Sequence, residues 1–325
     1  MTEAAHIQEA FDARVQRRDE RREFFKAAFG VGAFAVGGAA ALSFSTGARA
    51  QTVTDPDILN FALNLEYLEA QFYAYAANGT GLPANQQTGA GTQGGLVNPA
   101  GSTPARAVPF TDPAVAAYAR EIAADEAAHV AFLRTALGTA AVSQPALNIS
   151  GGAGSAFAAA ATAAGVPGGA TFDPYANENN FLLGAFIFED VGVTAYKGAS
   201  PLITSRTFLE AAAGILAVEA YHAAIVRTVL YGRGVATPAL RDAAGLISNA
   251  RDSLDGTTDL DQGIAPTTVS GALVSNIVPL DANGIAFSRS AAQTLNIVYL
   301  NRAAVTMGGF FPMGVNGTIR ASAAN

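Results

Sequence analysis

Apolar residues recur at helical spacing in four long stretches of this chain, and runs rich in Gly, Pro, Asn and Gln separate them. The first predicted helix opens at Asp55-Pro56-Asp57, with two acids and a proline in its first turn, and continues to about Ala77. The second starts in the same style at Thr111-Asp112-Pro113 and runs through Tyr118, Glu126 and His129 to Leu137-Gly138. A third begins near Asn177, covers Phe181 to Tyr196 and is broken at Ser200-Pro201. The fourth runs from about Ser205 through Glu219 and His222 to Tyr231-Gly232. The stretches around Glu66 and Glu189 are apolar nearly all round, which marks those helices as buried. Between the helices, the thirty or so residues after Ala77 and the segment 139–176 read as loops, the latter with an alanine-rich patch that predicts a short helix. Beyond 236 the pattern gives a fifth helix over 238–253, a Gly/Thr/Pro/Asn-rich stretch, another helix near 290–300 and an irregular tail. The fold class is therefore all-α: an antiparallel four-helix bundle over residues 51–235 with one long crossover, and a helical and irregular C-terminal extension over 236–325 packed on it.

The four helices contain a duplicated pair. Glu66 precedes Tyr73 by seven residues, as Glu189 precedes Tyr196. Helices two and four match more closely, with Glu126-Ala-Ala-His129 and Arg134 in one against Glu219-Ala-Tyr-His222 and Arg227 in the other. Residues i and i+3 share a helix face, so each Glu-x-x-His pair can reach one inward point. Helices in a bundle pack roughly 8–10 Å apart. Two pairs related by a pseudo-twofold axis then bring Glu66, Glu126, His129, Glu189, Glu219 and His222 to one place in the bundle centre.

Buried carboxylates are costly unless paired or bound to metal. Helix one has no Lys or Arg, and Arg134 and Arg227 lie about 140° around their helices from the histidines. Lys197 is about two turns beyond Glu189. Metal is the partner left, and imidazole mixed with carboxylate suits two iron or two manganese ions better than calcium. Around these six, Tyr73 and Tyr196 are placed either to hydrogen-bond near the site or to fill the core. Asp125, four residues before His129, could orient a ligand histidine. Its counterpart in helix four is Val218, so in that role it makes the two ions inequivalent. Glu69, one turn after Glu66, is either a seventh ligand or a surface charge, and Glu121 and Glu210 read as solvated.

Composition removes other mechanisms. The chain of 325 residues has no cysteine, which excludes disulfides, thiolate metal sites, cysteine nucleophiles and iron–sulfur clusters. A net charge of −7 without a basic, aromatic-laced stripe excludes nucleic acid as the expected partner. The first fifty residues read as an address. Glu20-Arg21-Arg22-Glu23-Phe24-Phe25-Lys26, an uncharged run over 27–48 and the small-x-small Ala48-Arg49-Ala50 resemble a Tat-type (twin-arginine) signal peptide over residues 1–50. The export machinery would be a partner, and a periplasmic or extracellular location would follow. An uncleaved membrane anchor is the alternative.

Leu63-Asn-Leu-Glu66-Tyr-Leu-Glu69-Ala-Gln-Phe-Tyr73, Asp125-Glu126-Ala-Ala-His129-Val and the C-terminal Gly308-Gly-Phe-Phe-Pro-Met-Gly-Val-Asn-Gly317 resemble the ferritin-like superfamily of di-iron and di-manganese carboxylate proteins. The likeness is greatest to its bacterial and plant desiccation-related members. It implies that the six glutamates and histidines are metal ligands, and that the protein acts on a small oxidant, peroxide or dioxygen. Manganese would favour peroxide dismutation, and iron a ferroxidase or peroxidase. The long loops and long C-terminal part depart from an iron-storing cage, and the lack of cysteine departs from rubrerythrins. A homodimer is compatible with this reading. The competing expectation is a stress-protection or structural protein whose metal pair only stabilises the bundle.

Overall fold

The computed structural model describes residues 53–325. The signal-peptide reading of residues 1–50 lies outside the described residues. Four helices form the bundle: α1 (Asp55–Asn78), α2 (Pro113–Leu137), α4 (Glu178–Ala199) and α5 (Arg206–Ala236), with a short α3 (Ala156–Ala163) in the crossover between α2 and α4. Two more, α6 (Ala239–Asp255) and α7 (Ala291–Val298), belong to the C-terminal part. The only strands among the described residues are two small antiparallel ribbons, β1 (Ser102–Thr103) with β2 (Gly151–Gly152), and β3 (Thr267–Val269) with β4 (Ala272–Val274).

Local chemistry sets each helix start. Thr54 caps α1 in a capping box with Asp57, and Pro56 sits in the first turn. Asp112, Asn177 and Ser205 cap α2, α4 and α5 through their side chains. The pseudo-twofold repeat extends to these ends. The Asp55 carboxylate at the start of α1 accepts from the backbone N–H of Thr204 (2.9 Å) and Ser205 (2.8 Å), just ahead of α5. Glu178 at the start of α4 does the same for Thr111 (3.0 Å) and Asp112 (2.9 Å), just ahead of α2. Each carboxylate satisfies N–H groups at the positive end of a neighbouring helix, where anions are favoured.

One boundary differs from the sequence expectation. Helix α5 does not stop at Tyr231-Gly232 but continues to Ala236. Gly234 serves packing rather than termination, because a Cβ there would overlap the Arg241 side chain that crosses it from α6.

Long loops are held by pairing and by the repeat arginines. The loop after α2 runs beside the loop after α1, with Ala90 N–H donating to Ala141 O and Val97 N–H to Leu147 O. Arg134 donates to the carbonyl oxygens of Asn85 and Thr88 and to the Tyr67 hydroxyl, while Arg227 donates to Gln262, Gly263, Asn276 and Ile277 carbonyls. The two equivalent arginines thus each pin a loop on the outside of the bundle.

Residues 236–325 pack against the bundle through two devices. Phe310, fully buried, stacks edge-on against Phe157 (5.0 Å between centroids) and Phe188 (4.9 Å), and its N–H donates to Val298 O. Asn316 closes the tail on α1, exchanging hydrogen bonds of 2.9 Å with Asn64. The second device is a buried network of six charges. Asp190 of α4 pairs with Arg227 (2.7 Å) and Arg251 (3.0 Å); Asp261 pairs with Arg251 and Arg289; Asp255 pairs with Arg289 (2.6 Å). Three arginines balance three aspartates, so the burial is tolerated.

Phe310→Ala is expected to destabilise the chain by about 3–5 kcal/mol, read as a lowered denaturation midpoint, since a large ring is lost from a filled core. Arg289→Leu strands Asp255 and Asp261 without that cation and is expected to cost a similar amount, about 3–5 kcal/mol in urea unfolding.

Candidate metal centre

Helices α1, α2, α4 and α5 each turn one glutamate inward, and α2 and α5 add a histidine one turn later. Glu66, Glu126, His129, Glu189, Glu219 and His222 meet in the bundle centre, none more than 8% exposed. Nδ1 of His129 lies 3.2 Å from Glu66, 3.5 Å from Glu126 and 3.9 Å from Glu219. Nδ1 of His222 lies 2.9 Å from Glu126 and 3.8 Å from Glu189. The ring centroids of the two histidines are 6.3 Å apart. The donors fall into two overlapping groups able to hold an ion, Glu66, Glu126, His129 and Glu219 in one, Glu189, Glu219 and His222 in the other. Glu219 belongs to both, and Glu126 reaches both imidazoles.

The residues fit a metal by a specific test. Both oxygens of Glu126, both of Glu219, Oε2 of Glu189 and Nδ1 of His222 are buried without a hydrogen-bond partner. Such orphans are rare in folded proteins unless an ion or water satisfies them. His222 Nδ1 and Glu126 Oε1 approach to 2.9 Å yet make no hydrogen bond. Polar atoms this close that do not satisfy each other leave room for an ion to satisfy both. Oxygen and imidazole donors together suit a first-row transition metal.

The surrounding groups complete the cluster. Tyr73 of α1 donates to Glu189 of α4, and Tyr196 of α4 donates to Glu66 of α1, a reciprocal exchange across the pseudo-twofold axis. Of the two roles open to these tyrosines, hydrogen bonding at the cluster is the one the geometry displays. Asp125 lies 3.2 Å from Nε2 of His222 on the opposite helix, not from His129 on its own, and its side chain is 44% exposed. Glu69 is buried, which rules out a surface charge, and it falls outside both donor groups. Glu121 and Glu210 are exposed.

Electrostatics reflect acid crowding. Burial, with the charge of Glu126 adding to it, raises Glu66 to about 7; burial raises Glu189 to about 8, partly offset by His222. Burial and the neighbouring carboxylates hold Glu69 and Glu219 well above the usual range. Burial works against Glu126 too, but the two imidazoles outweigh it and hold this carboxyl near 2. Burial would lower both histidines; the glutamates around them prevail and raise His129 to about 10 and His222 to about 9.

Two residues of α4 that shape the site or its surroundings escaped sequence reasoning. Gly192, mid-helix in α4, leaves room for the Glu219 carboxylate, which a Cβ would overlap. A lone glycine within an apolar helix was the available signal. Asp190, beside Glu189 in that apolar run, faces away from the cluster to the buried arginines; a second acid in a buried helix implied a cation elsewhere.

Fold and cluster define a helical-bundle protein with a buried carboxylate–histidine centre that could bind metal. The chain belongs to the ferritin-like domain family, whose model matches residues 54–232. It is 33% identical to a desiccation-related protein of Craterostigma plantagineum over 74% of this chain and 76% of that protein. It is also similar to a ferritin-like catalase of Nesocodon mauritianus, 29% identical over 82% of this chain and 84% of the relative. No solved structure matches it significantly.

Because Glu66, Glu189, His129 and His222 of the metal-free chain hold protons near neutrality, ion binding must displace them. Affinity is therefore expected to rise as pH rises from 6 to 9, with protons released on loading, measured by calorimetry in buffers of different ionisation enthalpy. The Glu126→Ala/Glu219→Ala double variant is expected to lose both ions by elemental analysis.

Proposed function

We propose that the protein is an exported ferritin-like metalloprotein that holds two iron or manganese ions and acts on peroxide or dioxygen in protection against oxidative and desiccation stress. The observation that carries this reading is the set of buried, unpartnered polar atoms on Glu126, Glu189, Glu219 and His222, gathered in two overlapping donor groups. In this role Glu66, Glu126 and His129 would hold one ion and Glu189 and His222 the other, with Glu219 available to both. Bound there, a metal pair would supply electron transfer and Lewis acidity. The chain's own part is orientation and exclusion of water. Tyr73 and Tyr196 fix the carboxylates of Glu189 and Glu66 by hydrogen bonds from the opposite helix. Asp125 fixes the His222 ring through Nε2, the usual way an outer carboxylate sets a ligand imidazole. Its counterpart position holds Val218, which makes the two ion positions inequivalent.

Similarity to a protein named as a ferritin-like catalase supports peroxide as substrate. The absence of cysteine does so too, since self-contained dismutation needs no thiol relay. The Arg21-Arg22 segment supports export. A purely structural metal site is the second reading, favoured by how completely the cluster is buried. Protein loaded separately with iron and with manganese is expected to consume hydrogen peroxide or oxidise ferrous iron. Full occupancy, about two ions per chain by elemental analysis, without either turnover would instead favour the structural reading.

A further inference from the structure

A small cavity of about 20 Å³, room for one water-sized molecule, lies between α1, α4 and α7 on one flank of the metal centre. Its wall is apolar, formed by Leu68, Val191, Ile297 and Phe310 among others, with a single charged residue, Glu69. Glu69 is 6% exposed and has no hydrogen-bond or ionic partner among the described residues. It lies toward the cluster as well as the cavity. A Cβ built on Gly192 would overlap Oε2 of Glu219 and touch Oε1 of Glu69 at 3.6 Å, so the two carboxylates flank the same gap. Gly192 therefore keeps open space between the cavity and the cluster.

We propose that this cavity is the pocket in which a small uncharged oxidant is held beside the cluster, and that Glu69 is the positioning residue at its inner end. An apolar wall rejects ions, whose desolvation it cannot repay, and admits dioxygen at little cost; hydrogen peroxide gives up hydrogen bonds to water on entering. A carboxyl at the inner end offers the hydrogen-bonding group that the wall lacks, so a peroxide arriving there is held beside Glu219. Phe310 and α7 come from the C-terminal part, which makes that part a component of the site and not only a cover. This assignment rests on the reading of the cluster as an oxidant site.

Two measurements test it. In metal-free protein with labelled methyl groups, dissolved dioxygen under pressure is expected to broaden the Val191, Ile297 and Val298 resonances beyond those of exposed methyls. Val191→Ile, which adds one methylene to the wall, is expected to remove that excess. In ferrous-loaded protein, the association rate of nitric oxide is expected to fall roughly tenfold in Val191→Ile, and the rate of ferrous oxidation by hydrogen peroxide to fall several-fold in Glu69→Ala but less in Glu69→Gln, with iron per chain unchanged. Unchanged rates in both variants, or no excess broadening, overturn the assignment. A chain that takes up no iron overturns the metal reading instead, and the dioxygen measurement on metal-free protein still decides whether the cavity admits the molecule.

Discussion

Five carboxylates and two imidazoles share the centre of this bundle with no lysine or arginine among them. Glu66, Glu69, Glu126, Glu189 and Glu219 are all buried, and in the metal-free chain their mutual repulsion is relieved by protons, by the two histidines and by the hydroxyls of Tyr73 and Tyr196. Such a cluster is stable when something positive occupies it, and much of the surrounding structure keeps it dry and aligned. The crossed tyrosines tie α1 to α4 at the level of the glutamates. The crossed helix-start contacts of Asp55 and Glu178 tie α1 to α5 and α4 to α2 at the helix ends. Both sets are reciprocal, so the duplicated halves hold each other in register.

Helix α4 shows how adjacent acids can take opposite roles. Glu189 points into the cluster and has no lysine or arginine partner; Asp190, the next residue, points outward to Arg227 and Arg251. A rotation of about 100° per residue separates them. The outward network is balanced charge for charge and joins α4 and α5 to α6 and to the Asp261 and Arg289 segments. The inward cluster is unbalanced. Function is placed where the charge has been left open, and stability where it has been closed.

The repeat is kept in some places and broken in others. Arg134 and Arg227 hold equivalent positions and each grips loop carbonyls outside the bundle, yet the loops they grip are unrelated. Asp125 has no equivalent, since α5 carries Val218 there. The C-terminal part covers the α1 and α4 side, where the cavity beside Glu69 lies. On the other side α2 and α5 leave Asp125 partly exposed. The centre is therefore covered differently on its two flanks.

The period of the apolar residues and the spacing of Glu, Glu-x-x-His, Glu, Glu-x-x-His were enough to place the four helices and to say which six side chains meet. Helical geometry converts spacing along the chain directly into a shared face, and duplication supplies the symmetry that brings the faces together. The helix starts at Asp55-Pro56-Asp57 and Thr111-Asp112-Pro113, near Asn177 and about Ser205, were legible for the same reason, being set by contacts within one turn. Contacts between distant segments were not. His222 rather than His129 receives Asp125; Asp190 finds arginines 37 and 61 residues away; α5 continues through Gly232 and Gly234 because Arg241 lies across it. Each depends on which outer surface the loops and the C-terminal part cover, and no local periodicity encodes that choice.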